Sequence, residues 1–507
     1  MVNQGIRLFC IWLFCGISLW AQQDSSVKII EIRNADRLSG MTIGNESVIQ
    51  LTGRVALFHE GAFMFCDSAF LYEQTNRLHA FGQIHILQGD TLSLYGDSLF
   101  YDGALRKADI MGNVRLKDPT VNMTTSQLTY DRNSGMVSYP DSANIRNGTD
   151  RIRSKKGHYQ STTRIFTFEE NVQIQNPDYT VLSEKLDYET QTDVSWFYGP
   201  TTITSQQAVI YCEKGWHNKQ TDEARFSRNA RVTSGSKILI GDSLYYQRGR
   251  GYGQGFGNIQ IRDTAEKITL LGQYAETWKD LNLYMVTDEA QMIQAFDTDS
   301  LFLHGDTLKG WEDSLGFRVI QCWNHVKFFK TDLQGACDSL FYTEMDSLMR
   351  MFFTPVIWSD SSQMTGTFIH LKIDRGTLYH FDLLQKAMLI AQDDTVRFNQ
   401  LSGQNMRGFF HDNDLVRLHV KEKGKLIYYP REEDGSLMGA NMLACRNITL
   451  WMGQRQIQRI SCQQKAEGTM HPWETFTGPD RFLDGFIWHE KDRPRTPEDI
   501  FIHRKVR

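Results

Sequence analysis

Short stretches in which apolar and polar residues alternate recur along this chain at intervals of about thirty residues. Residues 82–86, for example, read Gly-Gln-Ile-His-Ile, so that apolar side chains occupy every second position. Successive side chains of a β-strand point to opposite faces, and the alternation therefore predicts strands with one buried face. The pattern assigns these pairs to such faces: Val55/Leu57, Ile84/Ile86, Val114/Leu116, Val172/Ile174, Ile259/Ile261 and Val326/Phe328.

Two further series share this period. A unit of Asp, Ser, an apolar residue and an aromatic residue begins at Asp67, Asp97, Asp242 and Asp338, and Tyr101, Tyr130, Tyr159 and Tyr188 are each 29 residues apart. Half a period away, an asparagine precedes or opens an alternating stretch at Asn113, Asn144, Asn171, Asn229 and Asn258. Asparagine and glycine tolerate a positive φ, and they fit turns at these positions. One such unit cannot enclose a core, whereas stacked units can.

We therefore predict an all-β chain, an elongated β-solenoid-like stack of repeats with a period of about 29–30 residues. The repeats are clear over residues 22–345 and degenerate over residues 346–470. Residues 471–507 are rich in aromatic and basic residues, and we interpret them as a C-terminal cap and tail. The alternative for this last segment is a docking element for a partner or an anionic lipid surface.

The first 21 residues have the layout of a secretory signal peptide. Arg7 precedes a thirteen-residue apolar run from Leu8 to Trp20, and Ala21 supplies a small residue for cleavage. As a helix the run would reach only about 20 Å, short of the ~30 Å hydrocarbon core that a membrane anchor must cross. We predict cleavage after Ala21 and export across the inner membrane.

Composition narrows the function classes. The 507 residues carry a formal net charge of −5, which does not suit a dedicated nucleic-acid binder. Hydrophobic residues make up 41% of the chain, too many for a disordered protein.

Six cysteines remain after cleavage, and none is spaced as in a C-x-x-C motif. The pairs Cys322/Cys337 and Cys445/Cys462 could each bridge neighbouring strands, but we favour single buried thiols, the others being Cys66 and Cys212.

The combination of a Gly-Asn-Val strand start with a later Asp-Ser-Leu-aromatic-Tyr unit resembles the OstA/LptA family of periplasmic lipopolysaccharide-transport proteins. The matching segments of the sequence are Gly82 to Tyr101, Gly112 to Tyr130 and Asn229 to Tyr246. The family also includes the N-terminal domain of the outer-membrane transporter LptD. The resemblance covers residues 51–345 well and residues 345–470 weakly.

The resemblance implies an open β-jellyroll with an apolar groove that carries acyl chains. The expected function is that of a periplasmic lipid-binding bridge for lipopolysaccharide transport and outer-membrane biogenesis. The protein could also associate with the outer membrane. The expected partners are lipopolysaccharide or a related glycolipid, transport components of the inner and outer membranes, and further copies of this chain stacked end to end, but no nucleic acid. The inward strand faces would line the groove: Val55, Leu57, Ile84, Ile86, Val114, Leu116, Val172, Ile174, Ile259 and Ile261.

Two alternatives stay open from the residues alone. The first is a structural or adhesive β-repeat protein with a closed core and no cargo. The second is a hydrolase, because Gly96-Asp97-Ser98-Leu99 and residues 241–244 both spell a Gly-Asp-Ser-Leu signature. Since both copies lie in phase with copies that lack the glycine, we interpret them as repeat residues and predict that the chain is not an enzyme. We predict no cofactor and no metal site, because the fourteen histidines form no metal-binding motif.

Overall fold

The computed structural model describes residues 29–503 except residues 90, 91, 120, 375, 413, 433, 454, 455 and 473. The predicted signal peptide lies outside the described residues. Within them the chain forms 36 β-strands and five short 3-10 turns, and no α-helix. The predicted all-β fold class is confirmed. The described residues divide into two compact units, the first ending at Asp141 and the second beginning at Ser142.

The first unit contains nine strands. They are β1 Glu31–Asn34, β2 Arg37–Ile43, β3 Glu46–His59, β4 Ala62–Tyr72, β5 Arg77–Gln88, β6 Leu92–Asp102, β7 Lys107–Lys117, β8 Val121–Asp131 and β9 Met136–Tyr139. Each strand from β3 to β8 pairs antiparallel with the next, and β1 and β2 both pair with β3. This order of neighbours is what a stack of consecutive repeats requires.

The second unit contains the remaining strands. They are β10 Ala143–Asn147, β11 Asp150–Ser154, β12 Lys156–Gln160, β13 Ile165–Gln175, β14 Tyr179–Glu189, β15 Val194–Ser205, β16 Val209–Asn218, β17 Glu223–Ser234, β18 Lys237–Gln247, β19 Tyr252–Asp263, β20 Ile268–Trp278, β21 Leu283–Thr287, β22 Gln291–Ala295, β23 Ser300–His304, β24 Thr307–Glu312, β25 Arg318–Lys330, β26 Leu333–Thr343, β27 Leu348–Phe352, β28 Val356–Ser359, β29 Ser362–Thr365, β30 Phe368–Asp374, β31 Thr377–Gln392, β32 Phe398–His411, β33 Asp414–Tyr428, β34 Ala440–Gly453, β35 Gln456–Gln463 and β36 Glu467–His471. The 3-10 turns are Arg248–Arg250, Lys279–Leu281, Gly478–Arg481, Glu490–Asp492 and Pro497–Phe501.

Every second long strand is interrupted by a bulge near its middle. In β5, for example, the register to β6 shifts between Phe81 and Ile84, and Gly82 and Gln83 both have a positive φ. A bulge bends its strand, and because the bulges of alternate strands lie in line across the strand between them, the sheet of each unit folds along a common line. We call this line of bulges the spine.

The two half-period sequence series meet at the spine. Asn113 donates from Nδ2 to Asp97 Oδ2 at 2.7 Å, and Asn258 makes the same bond to Asp242 at 2.9 Å. The glycine before each asparagine has a positive φ, and a Cβ on Gly112 would lie 2.5 Å from Asp97 Oδ2. The aspartate of the Asp-Ser unit on one strand therefore contacts the Gly-Asn bulge of the next strand. This contact explains why both series share one period.

The C-terminal segment, residues 474–503, packs on the side of the sheet opposite to the folded interior. Its backbone is held by two buried glutamines: Gln363 bonds to Ile487 O and to the His489 N–H, and Gln400 bonds to Arg481 O and to the Leu483 N–H. A cluster of apolar residues from strands and segment closes this contact: Met388, Ile390, Ile427, Tyr429, Ala440, Phe476 and Leu483.

Candidate functional site

The interior between the two folded halves of the sheet is the candidate site. Each long strand has one half on either side of the spine, and its inward side chains face those of the other half. We call this interior the seam. The strand connections form two rows along its mouth, a first rim that includes the β3–β4 and β5–β6 connections and a second rim that includes the β4–β5 and β6–β7 connections.

In the first unit one inward row runs next to the first rim. Cross-strand pairing joins its members into a continuous ladder: Leu57, Met64, Ile86, Leu94, Leu116 and Met123. We call this the N-terminal row. None of its side chains exposes more than 3% of its surface. The seam is therefore closed to solvent along β3–β8.

The ten residues predicted to line a groove all lie on inward faces. Nine of them are buried, with at most 4% of their surface exposed, and Ile261 is half-buried. The structure brings the predicted residues of the alternate strands β3, β5 and β7 onto one shared face, as the alternation indicated. Contact with lipid at these positions stays a prediction.

A network of polar side chains closes the mouth of the seam in the first unit. His59 Nδ1 on the first rim and Tyr101 Oη on the second rim are hydrogen-bonded at 2.7 Å. Arg132 donates to Tyr101 Oη at 2.9 Å and to the backbone oxygens of His59 and Glu60, while Arg106 Nη2 donates to Glu60 Oε1 at 2.8 Å. We call this set the N-terminal rim network. Burial raises the pKa of Tyr101, which keeps its hydroxyl protonated for these bonds.

The matching ladder of the second unit differs in its exposure. Ile145, Ile152, Ile174 and Val181 are buried at its start, and Met292, Leu303 and Phe328 are buried at its end. Six side chains between them, one from each strand β15–β20, are only half-buried: Ile203, Ile210, Val232, Leu239, Ile261 and Leu270. We call these six the middle row.

Cross-strand pairing places the middle row in one line. With neighbouring strands ~4.8 Å apart, six strands make an apolar strip of about 24 Å. The rim contacts beside it are sparse and exposed. Lys279 Nζ donates to Gln207 Oε1 at 3.3 Å, and Lys237 Nζ donates to Tyr284 Oη at 2.9 Å. The strip is therefore accessible from the mouth of the seam.

Polar residues also meet just before the middle row. Lys219 Nζ lies 3.0 Å from the buried Asp150 carboxylate, and Asn147 Nδ2 donates to Tyr188 Oη at 2.7 Å. The ring of Tyr179 meets the ring of His217 edge to face. These contacts again join the first rim to the second. We call Asn147, Asp150, Tyr188 and Lys219 the central polar cluster.

Burial is the main cause of the pKa shifts around this cluster. It lowers the pKa of His217, with Arg248 and Lys219 adding to the effect and Asp222 and Asp150 opposing it. Burial likewise raises the pKa of Tyr188, helped by its hydrogen bond to Asp193. At neutral pH the mouth therefore presents an uncharged imidazole and an uncharged phenol beside the Lys219–Asp150 pair.

Two small pockets adjoin the ladder to which the middle row belongs. The first lies before the middle row, is partly open to solvent, and combines apolar residues such as Ile174 and Phe197 with Asp150 and His217. The second lies at Phe328, three ladder positions beyond the middle row, and is lined mainly by apolar side chains, among them Leu301 and Met349.

Sequence reasoning found only one member of the middle row, Ile261. Ile203, Ile210, Val232, Leu239 and Leu270 were missed. Val232 lies in an alternating stretch that could have marked it, whereas Ile210 and Leu239 lie in continuous apolar runs that do not indicate which face is inward. The rim residues Arg132 and Lys219 carry no local signal, because their partners Glu60 and Asp150 are 72 and 69 residues away.

The serines of the Gly-Asp-Ser-Leu signature lie beside the spine. Ser243 Oγ accepts from Arg225 Nε at 2.9 Å and from Ser227 Oγ at 3.2 Å. Within the described part of the chain, no three residues among His, Cys, Asp and Glu are grouped so as to hold a metal ion. None of the helical turns described is long and apolar enough to cross a membrane.

Comparison with known proteins gives one family match. The sequence model described as OstA-like protein matches residues 27–184, which confirms the resemblance for this part of the chain. Among solved structures, the chain is similar to LptH, the LptA homologous periplasmic component of the lipopolysaccharide transport device from Pseudomonas aeruginosa. The identity is 13%, the match covers 28% of this chain and 95% of that chain, and the TM-score is 0.22. No curated protein matches.

Proposed function

We propose that this protein is a periplasmic lipid carrier in lipopolysaccharide transport, holding acyl chains in the seam at the middle row. The OstA-like match over residues 27–184 supports the transport family. The partners would be lipopolysaccharide or a related glycolipid and transport components of the inner and outer membranes, and further copies of the chain could extend the bridge. The observation that carries the proposal is the accessible apolar strip of β15–β20.

The chemistry of an acyl chain fits this strip. Each methylene removed from water contributes about 0.8 kcal/mol, so a multi-acylated lipid binds firmly without any specific polar contact. The half-buried state of the middle row leaves apolar surface that a ligand can cover, whereas the N-terminal row has none to offer. A soluble protein that exposes a continuous apolar strip commonly uses it for binding.

Site-specific photocrosslinking tests the proposal. A photoreactive amino acid at Ile210 or Ile261 should form an adduct with purified lipopolysaccharide, and the same residue at Leu94 or Leu116 should form little or none. The two sets lie on equivalent inward rows and differ in exposure. Competition with phospholipid vesicles would then distinguish lipopolysaccharide from a general affinity for lipid.

The closed seam of the first unit favours a second candidate, a structural β-repeat protein without cargo. A fully packed interior along β3–β8 is what that function needs. If no adduct forms from any middle-row position, this second candidate replaces the first.

A further inference from the structure

Four of the six described cysteines occupy one position of the repeat. Cys66, Cys212, Cys337 and Cys445 are the inward residues next to the spine, where other strands have glycine, serine or threonine. Their thiols can donate to the carbonyl two residues further on, as Cys337 does to Ser339 O at 3.2 Å. Ser183 makes the same bond to Lys185 O. A small side chain with a donor therefore explains Cys66, Cys212 and Cys337 by packing alone, whereas Cys445 also has a second sulfur atom beside it.

The other two cysteines, Cys322 and Cys462, have a different position, and each lies beside one of the four. Leu340, three residues after Cys337, pairs with Cys322 on the neighbouring strand. Ile448, three residues after Cys445, pairs with Cys462 in the same way. The same spatial relation between two cysteines thus occurs twice in the chain.

At the second of these places the two sulfur atoms are in contact. Cys445 Sγ and Cys462 Sγ lie 2.6 Å apart, well inside the ~3.5–4.0 Å at which non-bonded heavy atoms meet. Cys445 and Cys462 lie on neighbouring strands but are not directly opposed, so the contact between their sulfur atoms, and not the strand register, is the observation that points to a bond. Cys462 is half-buried, so that a redox reagent can reach the pair from solvent.

We propose that Cys445 and Cys462 form a disulfide bond that joins β34 to β35. Its formation breaks two S–H bonds and makes one S–S bond. The two electrons pass to an oxidant of the disulfide class, which is reduced to two thiols and takes up both protons. The bond would hold β35, a largely exposed strand, on the sheet, and this inference does not depend on the proposed function.

Peptide mapping of the full chain tests the bond. The protein is incubated with oxidised glutathione, denatured, alkylated and digested without reduction. We expect one linked peptide containing Cys445 and Cys462 that disappears after reduction, while Cys66 and Cys212 are recovered alkylated. Recovery of both Cys445 and Cys462 as alkylated thiols after this treatment would overturn the proposal.

Hydrogen exchange tests the role of the bond in holding β35. Cross-linking a loop of this length stabilises the joined strands, and we expect β35 amides to exchange at least about tenfold faster after reduction. Cys462→Ser should show the fast rate in both redox states. Cys212→Ser, a matched control because serine occupies the equivalent position at Ser183, should retain the difference. Equal β35 rates in the oxidised and reduced wild-type protein would refute the proposed role.

Discussion

The seam of the first unit and the middle of the second unit are built from the same repeat but differ in access. Both have a bulged spine in which the asparagine of one Gly-Asn bulge bonds to an aspartate of the preceding strand, and both have a continuous apolar ladder beside the first rim. Along β3–β8 the ladder is sealed, and along β15–β20 it is half-exposed.

The difference lies at the rims. In the first unit a buried histidine, a buried tyrosine and Arg132 join the two rims with hydrogen bonds between 2.7 and 3.2 Å. Beside the middle row the rims are joined by exposed lysines on single acceptors. Both regions have an apolar lining, so the polar contacts of the rims account for the difference in exposure between them.

A buried charge should produce the largest contrast between the two regions. Val114→Asp places a carboxylate where 1% of the side chain is exposed, and we expect a loss of about 4 kcal/mol or more of stability, seen as loss of the β signal in circular dichroism. Ile261→Asp, at a half-buried site, should stay folded and lose lipid binding. If Val114→Asp stays folded and binds less lipid, the N-terminal seam opens in solution and the comparison fails.

Removing a rim residue should have the next largest effect. Arg132→Ala deletes charge-assisted bonds to Tyr101 and to the backbone of His59 and Glu60, and we expect the free energy of unfolding to fall by about 2–3 kcal/mol. Crosslinking to lipid from Leu94 should then increase. The matched change Lys237→Ala, beside the middle row, removes an exposed bond and should cost no more than about 0.5 kcal/mol. Similar costs for both variants would show that the rims do not differ.

The strands and their burial pattern could be predicted from the sequence, because alternation is a local property. Val114 and Leu116 lie together in β7 and are buried, as the pattern indicated. The Gly-Asn and Asp-Ser series likewise predicted the repeat. Their contact, such as that of Asn113 with Asp97, depends on strand register, which period counting does not provide.

The exposure of the candidate site could not be predicted in this way. Ile86 and Ile261 occupy the same phase of the repeat, yet only the first is buried. What separates them is a set of rim contacts between residues far apart in sequence, such as Arg132 and His59, which are 73 residues apart. The position of the C-terminal segment depends on similarly distant partners, since Gln363 and Ile487 are 124 residues apart.

Acidification should lower the stability of the strands around His217 by a moderate amount. Burial lowers the pKa of this imidazole, so the unfolded chain takes up a proton first as the pH falls below about 6.5. The contribution of His217 to the free energy of unfolding should therefore be fully present at neutral pH and fall as the pH approaches the folded-state pKa. Hydrogen exchange of β16 and β17 amides would measure this effect. His217→Gln should remove it, and a pH response that persists in this variant would assign it to other groups.

The smallest expected contrast concerns the spine, which the two regions share. Gly112 and Gly257 both have a positive φ, and an added Cβ would press on Asp97 or Asp242 and disturb the hydrogen bond to the following asparagine. We expect Gly112→Ala and Gly257→Ala to cost about 1–2 kcal/mol each, with the same value in both regions. Urea denaturation measures the loss of stability in each variant, and hydrogen exchange of the affected strands shows where that loss occurs.

Gly235→Ala separates the two causes of this cost. Gly235 has a φ of 56° and no atom within 4 Å of an added Cβ, so its replacement reports the backbone term alone. The stability lost in Gly112→Ala and Gly257→Ala should exceed the stability lost in Gly235→Ala, because only the first two place a Cβ against an aspartate. If Gly257→Ala costs no more than Gly235→Ala while Gly112→Ala costs clearly more, the spine itself is looser in the middle region. The accessibility of the middle row would then come from the bend of the sheet as well as from its rims.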